Sequence, residues 1–292
     1  MPEQPPVVLT IAGFDPSSGA GVTADIKTIA AHACYGVACI TAMTVQSTAG
    51  VKRVEPVDPS LVTDTLAELV SDIDIAAVHI GMLGSAKVAK AVADFFSSTT
   101  RTKSSARGSA ARLPNIVLDP ILKSSSGADL VDAPGTRIMI ERLIPLADVV
   151  TPNVDEAAAI TGTKVQELDE MKEAAAKLHE LGAANVVITG GHLDKAIDLL
   201  SFKTKSGVEQ EIFKAERQQS NCTHGTGCAF ATAMACHLAL DRGLAEATLL
   251  AKTYVSAAIT NGHPLGKGTD PVHHLYRMNQ QRRAAGTGGE LS

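Results

Sequence analysis

A glycine-rich segment in the C-terminal third of the chain has the residue types of an anion-binding loop. It reads NCTHGTGC over residues 221–228 and leads into an apolar stretch with helical spacing. Gly225 and Gly227 allow the backbone to turn its N–H groups toward one point, where the positive end of the following helix dipole adds to them. The segment therefore favours binding of a phosphate or a similar anion.

Cys228 lies in the first turn of that predicted helix, and two interpretations fit its position. The helix dipole there favours the thiolate, which could accept a proton. Alternatively, the thiol is a small buried apolar group, and the spacing alone slightly favours this second interpretation. The remaining cysteines, Cys34, Cys39, Cys222 and Cys236, are interpreted as buried apolar residues.

Polar residues follow two of the predicted strands. Asp119 ends the strand NIVLD, while Asn153 and Glu156 follow the strand DVV through the sequence TPNVDE. Because parallel strands end at one edge of a sheet, these oxygen ligands could meet there and suit Mg²⁺ bound to a nucleotide. A helix cap with a favourable first-turn acid explains Asn153 and Glu156 equally well.

The histidines and the first glycine-rich loop carry weaker signals. His224, His273 and His274 are not spaced as a metal site, so structural or surface roles are favoured. The loop AGFDPSSGAG at 12–21 fits neither GxGxxG nor GxxxxGK[ST], although it lies between a predicted strand and a predicted helix. A binding loop and a tight turn that requires glycines are equally compatible with it.

The elements that must position these residues alternate between β-branched runs and helical periods, which predicts an α/β fold with a mostly parallel, buried sheet. Predicted strands cover 7–12, 36–45, 76–80, 115–119, 148–150 and 185–189, with an antiparallel edge formed by 196–203 and 211–215. Predicted helices cover 20–33, 59–71, 86–96, 134–143, 167–181, 227–240 and 244–261. A single domain over 1–292 is expected, with a mobile surface loop at 97–112 and a frayed tail at 281–292.

Composition excludes several functional classes. The 26 Lys and Arg against 31 Asp and Glu give a net charge of −5, and aromatic residues make up only 3%, so a nucleic-acid partner is not expected. No apolar stretch approaches the ~20 residues that span a bilayer, and the N-terminus does not resemble a secretory signal. Five cysteines without a CxxC pair favour a reducing cytoplasm.

Taken together, the loops resemble a known family, the hydroxymethylpyrimidine/phosphomethylpyrimidine kinases of thiamine biosynthesis in the ribokinase-like superfamily. The resemblance covers almost the whole chain, and the cysteine of GTGC distinguishes this branch from ribokinase-like sugar kinases, which carry an aspartate there. Its motifs are AGFDPSSGAGVTADIKT at 12–28, TAMTVQSTAGV at 41–51, IGML at 80–83, VLDP at 117–120, TPNVDEA at 151–157, GGHL at 190–193, NCTHGTGC at 221–228 and GKGTDPVHH at 266–274.

The resemblance implies a three-layer αβα sandwich, a homodimer and a role for each motif residue. Substrate contacts would be Gly13, Ala20, Asp25, Gln46 and Met82. Asp119, Asn153 and Glu156 would organise ATP, with Asp119 and Glu156 as ligands of Mg²⁺. Gly225, Thr226 and Gly227 would form the anion hole, and Cys228 would be the catalytic base. Thr189, also near the nucleotide, stands where family members usually have lysine.

The implied activity is the phosphorylation of a hydroxymethylpyrimidine by ATP, followed by phosphorylation of the monophosphate. A pyridoxal kinase of the same branch is an alternative, because Gln46 and Met82 do not exclude a pyridine ring. A non-catalytic ligand-binding protein on the same fold is a third interpretation. Only Thr189 favours it, whereas the remaining catalytic residues are intact.

Overall fold

A computed structural model describes residues 4–99, 112–124, 126–191, 196–216, 218 and 220–278. The expected frayed tail at 281–292 lies outside this part of the chain, as do residues 100–111 of the expected loop at 97–112. The first three residues of that loop instead complete a helix that ends at Thr99.

A nine-stranded sheet forms the centre of the described chain, in the order β3-β2-β1-β4-β5-β6-β7-β8-β9. The six central strands, in the order β2, β1, β4, β5, β6 and β7, pair parallel with one another. At one edge β3 pairs antiparallel with β2, and at the other edge β8 pairs antiparallel with β7 and β9 with β8. The strands are β1 (Val7–Phe14), β2 (Tyr35–Ser47), β3 (Gly50–Pro56), β4 (Ile75–Ile80), β5 (Ile116–Leu118), β6 (Val149–Val150), β7 (Asn185–Gly190), β8 (Ala196–Thr204) and β9 (Gly207–Ala215).

Helices cover both faces of the sheet. They are α1 (Gly21–Ala31), α2 (Pro59–Asp72), α3 (Ala86–Thr99), α4 (Ala133–Ile138), α5 (Val154–Thr161), α6 (Leu168–Glu180), α7 (Thr226–Ala239) and α8 (Leu244–Thr260). A π-helical turn, Met139–Leu143, and a 3-10 turn, Ile144–Leu146, continue α4. The N-cap of α2 is Asp58, whose side chain accepts a hydrogen bond from the Ser60 N–H, with proline in the first turn as predicted.

Two apolar cores result, one on each face. Helices α2 to α6 bury side chains such as Leu66, Phe96 and Met171 on one face, and α1, α7 and α8 bury Ile29, Met234 and Tyr254 on the other. The predicted three-layer α/β architecture with a mostly parallel sheet is therefore confirmed, including its antiparallel edge.

The strand β3, which forms a hairpin with the predicted strand β2, and the helix α5 are elements that the sequence pattern did not predict. A further parallel pair joins β10 (Cys222–His224) to β11 (Asp270–Pro271), which brings the 266–274 motif beside the glycine-rich loop. No helix in the described ranges combines the length and apolar character needed to cross a bilayer.

Candidate active site

The glycine-rich loop before α7 is held at the carboxyl edge of the parallel strands. Gly225 is the N-cap of α7 with a φ of +83°, and a Cβ atom there would lie 1.9 Å from the carbonyl oxygen of Gly19. Only glycine fits this close approach. Since no side chain caps α7 and its first helical bond joins the Ala229 N–H to the Gly225 carbonyl, the preceding N–H groups are oriented as anion donors.

Cys228 lies in the first turn of α7 and is 8% exposed. Burial, Asp119 and Asp25 raise the pKa of the Cys228 thiol well above its usual value. Burial and these carboxylates act against the helix dipole, so ionisation of the Cys228 thiol depends on a partner that offsets their effect. A cation beside Asp119 would shift the pKa of the thiol back down.

Asp119 follows β5 and lies against the same loop. Its Oδ2 atom would be 3.7 Å from a Cβ atom at Gly227, and this buried oxygen has no hydrogen-bond partner among the described residues. Burial and the carboxylates of Glu156 and Asp25 raise the pKa of Asp119 well above its usual range. A buried oxygen without a partner is costly, so this carboxylate has the character of a cation ligand.

Asn153 and Glu156 form a capping box at the start of α5. The Asn153 side chain accepts the Glu156 N–H at 2.9 Å, and Glu156 Oε2 accepts the Asn153 N–H at 3.0 Å. The cap interpretation is therefore confirmed. Burial raises the pKa of Glu156 to about 7, against hydrogen bonds from the N–H groups of Asn153 and Leu122. The charge of Glu156 raises the pKa of Asp119, so the two carboxyl groups lie near each other.

Thr189 is the penultimate residue of β7 and lies beside Asn153. It forms an isolated parallel bridge with Asn153, and its N–H donates to the Pro152 carbonyl at 2.9 Å. Within the described ranges no cluster of three or more His, Cys, Asp or Glu side chains is arranged to hold a metal ion. Asp119 and Glu156 thus supply two carboxylates, a number that suits Mg²⁺ whose other ligands are phosphate oxygens and water.

The predicted pyrimidine contacts lie mainly at the ends of β1, β2 and β4. A Cβ atom at Gly13 would lie 2.8 Å from the Met82 sulfur, so Met82 covers this glycine closely. Ala20 precedes α1, and its N–H donates to Asp15 at 3.0 Å. Gln46 lines a cavity of about 100 Å³ together with Thr48, Gly50, Ser126, His224 and Gly268.

Asp25 does not have the exposure expected of a substrate contact. It is fully buried, and its two oxygens accept hydrogen bonds from Thr10 at 2.6 Å and Thr232 at 2.9 Å, with His79 Nδ1 at 3.3 Å. Thr232 lies one helical turn beyond Cys228 on α7. The carboxylate therefore lies beneath the site, where its charge raises the pKa of Asp119 and of Cys228, and its contact with the substrate stays a prediction.

The structure also places His224 beside Gln46 and Asp15 beside His224, and neither was predicted as a site residue. His224, expected to be structural or exposed, is 7% exposed and lies 2.9 Å from Asp15 and 3.4 Å from Gln46. Its place inside the NCTHGTGC motif was the available signal. The remaining predicted cysteines, Cys34, Cys39, Cys222 and Cys236, are buried and free, as expected.

Comparison with known proteins extends this picture. A sequence model described as phosphomethylpyrimidine kinase matches residues 15–273. A bifunctional thiamine biosynthesis protein of Geobacter sulfurreducens is 41% identical over 94% of this chain, which spans 53% of that protein. A hydroxymethylpyrimidine/phosphomethylpyrimidine kinase of Streptomyces coelicolor is 37% identical over 96% of this chain and 98% of its own length.

Solved structures of two kinase types share the fold. Bacillus subtilis pyridoxal kinase, in a complex with ADP, aligns with a TM-score of 0.80 and 32% identity, covering 94% of this chain and all of its own. Phosphomethylpyrimidine kinase from Clostridium difficile aligns with a TM-score of 0.74 and 34% identity, covering 87% of this chain and 99% of its own.

Proposed function

Because the chain belongs to the phosphomethylpyrimidine kinase family, we propose that it is a hydroxymethylpyrimidine/phosphomethylpyrimidine kinase of thiamine biosynthesis. It transfers the γ-phosphoryl group of ATP to 4-amino-5-hydroxymethyl-2-methylpyrimidine and then transfers a second phosphoryl group to the monophosphate. The products are the pyrimidine diphosphate and two molecules of ADP.

The residues take complementary roles in this transfer. Gln46 pairs through its amide with the ring nitrogen and amino group, and Met82 packs on the ring beside Gly13. The N–H groups of the loop at Gly225, Thr226 and Gly227 hold the phosphoryl group while its charge is redistributed. These parts supply the positioning and charge stabilisation on which phosphoryl transfer depends.

Asp119 and Glu156 would hold Mg²⁺, and Asn153 and Thr189 would lie on the nucleotide side of them. The buried Asp119 oxygen without a partner fits this assignment. When bound, the ion supplies positive charge that offsets the carboxylates and the phosphates. Cys228 can then act as the base that takes the proton of the hydroxymethyl group, while the new P–O bond forms and the bond to ADP breaks.

One observation carries the proposal. A helix N-terminus without a side-chain cap, a thiol in its first turn and a buried carboxylate oxygen that has no hydrogen-bond partner among the described residues meet at one point of the sheet edge. The thiol placed beside these anion and cation sites favours a catalyst over a non-catalytic binding protein. Pyridoxal kinase is the second candidate, supported by the 32% identity and TM-score of 0.80 to the Bacillus subtilis enzyme.

Incubation with MgATP and either hydroxymethylpyrimidine or pyridoxal, followed by chromatography of the products, tests all three functions. We expect mono- and diphosphate from the pyrimidine, at a much higher kcat/KM than pyridoxal phosphate formation. Preferential pyridoxal phosphate formation would support the second candidate, and the lack of any phosphorylated product would support a binding protein.

A homodimer in a reducing cytoplasm completes the proposal. All five cysteines are free, which suits such a compartment. Three large apolar side chains of β2 are exposed, those of Ile40, Met43 and Val45, and a second copy of the chain could cover this apolar surface. Sedimentation of the wild type and of Met43→Glu tests the assembly, with dimers expected for the first and monomers for the second.

A further inference from the structure

The carboxylate of Asp15 joins the first glycine-rich loop to the loop before α7. Its Oδ1 atom accepts the Ser17 N–H and hydroxyl at 2.8 and 2.7 Å, and its Oδ2 atom accepts the N–H groups of Gly19 and Ala20 at 3.2 and 3.0 Å. The Nε2 atom of His224 lies 2.9 Å from the same Oδ2. So many donors require an ionised, accepting carboxylate.

This arrangement keeps Asp15 ionised. Burial alone would raise the pKa of Asp15, but the hydrogen bonds from His224 and Ser17 outweigh it and hold the pKa below its usual value. An ionised carboxylate has no hydrogen to donate, so Nε2 of His224 must carry one. Asp15 therefore fixes the protonation of one particular ring nitrogen.

The state of that nitrogen matters because Gln46 lies against it. The Gln46 amide nitrogen is 3.4 Å from His224 Nε2, and the Gln46 Oε1 atom accepts from the Thr44 hydroxyl at 3.2 Å. Two N–H donors cannot bond to each other, so a protonated Nε2 leaves the amide hydrogens of Gln46 for a ligand in the cleft. An unprotonated Nε2 would instead accept one of them and take it away from the ligand.

We propose that Asp15 and His224 are positioning residues that keep the Gln46 amide available to the aminopyrimidine ring. Asp15 acts on the imidazole of His224, and that imidazole in turn determines whether the Gln46 amide is available to the pyrimidine. The close fit supports the idea, since a Cβ atom at Gly19 would lie 2.2 Å from the His224 ring and would displace it. The inference rests on the proposed function, because it identifies what sets the affinity of that site for the pyrimidine.

The decisive measurement is a double-mutant cycle on the full-length protein. Calorimetric titration with hydroxymethylpyrimidine in the absence of nucleotide gives Kd for the wild type, Asp15→Asn, Gln46→Ala and the double variant. Loss of one hydrogen bond to the ring corresponds to about tenfold weaker binding for Asp15→Asn. In the Gln46→Ala background Asp15→Asn should change Kd by less than about twofold, because no Gln46 amide remains to donate a hydrogen bond to His224.

Nuclear magnetic resonance of the ¹⁵N-labelled wild type provides a readout that needs no variant of Asp15 to fold. The His224 imidazole, assigned by the signal that disappears in His224→Gln, should carry a hydrogen on Nε2.

For the titrations, Asp148→Asn is the matched control for Asp15→Asn. Asp148 also accepts hydrogen bonds from a backbone N–H and from a cationic side chain, but it precedes β6 and so lies at the opposite end of the parallel strands. Its Kd for the pyrimidine should equal that of the wild type.

Equal losses of affinity from Asp15→Asn in both backgrounds would overturn the inference, as would an unprotonated Nε2 in the wild type. Either result would leave Asp15 and His224 as residues that only stabilise the loops. Failure of the wild type to phosphorylate the pyrimidine would reject the proposed function instead, and the protonation of His224 would still be decided by the spectrum.

Discussion

Replacing Cys228 by alanine should slow transfer to the hydroxymethyl group much more than transfer to the monophosphate. An alcohol must lose a proton during transfer, whereas a phosphate oxygen with a pKa near 6 is already ionised at neutral pH. A positioned base contributes a factor of about 10²–10⁴. We therefore expect about a hundredfold loss or more in the first transfer and less than about fivefold in the second.

The environment of the thiol determines how this factor depends on pH. Burial, Asp119 and Asp25 raise the pKa of Cys228, and each unit above the assay pH reduces the thiolate fraction tenfold. The thiolate is the active form, so the rate of the first transfer should rise with pH between about 7 and 9. The alanine variant should lack this rise, and the second transfer should be nearly flat.

Single-turnover assays with purified hydroxymethylpyrimidine or its monophosphate as the acceptor separate the two steps. Cys236→Ala is the matched control, because Cys236 is a fully buried cysteine two turns further along α7. Both rates should stay within about twofold of the wild type there. Equal losses of both transfers in Cys228→Ala would refute the base and make Cys228 a packing or positioning residue.

Three further perturbations probe other parts of the structure. Gly225→Ala should lower the melting temperature more than Gly162→Ala. Both glycines have left-handed φ values, +83° and +68°, but only at Gly225 would the added Cβ atom lie 1.9 Å from a carbonyl oxygen, that of Gly19. Equal shifts in thermal unfolding would contradict this. Burial lowers the pKa of His32 to about 4 from 6.5, so His32 should contribute up to about 3 kcal/mol to the loss of wild-type stability as pH decreases from 6.5 to 4. His32→Asn should show a shallower decrease in chemical denaturation, and an unchanged slope would exclude His32 as its source. Thr189→Lys should lower the KM for ATP or raise kcat by roughly threefold, relative to the uncharged control Thr189→Met; no difference between these variants would show that a charge at this position is unimportant.

The strands that carry the nucleotide side of the site were predictable because their signals are local. Runs such as NIVLD and DVV are β-branched and short, and the ends of parallel strands meet at one edge, which brings Asp119 and Glu156 together. The strand β3 was missed because its sequence, GVKRVEP, is rich in charge and lies at the edge of the sheet. Helix α5 is only eight residues long, so its periodicity was too short to detect.

Contacts between distant parts of the chain could not be predicted. His224 bonds to a residue 209 positions away, and Asp25 bonds to Thr232, 207 positions away. The motif around Asp25 looks like a loop that opens a helix, and nothing local shows that α7 packs over that helix and buries the carboxylate. Burial of a polar residue is a property of the layer that covers it, so it follows from the tertiary arrangement alone.

The charge distribution explains how an acidic protein can handle phosphates. A net charge of −5 argues against a broad basic field around the protein. The nucleotide side of the site holds two carboxylates, Asp119 and Glu156, and the uncharged Thr189 supplies no positive charge to offset them. Backbone N–H groups at the start of α7 attract an anion without adding a formal charge, because their attraction comes from oriented dipoles. Such donors attract only at close range and in one geometry, whereas lysines would attract any polyanion. The same feature therefore explains how a phosphate site is expected in a chain for which a nucleic-acid partner is not expected.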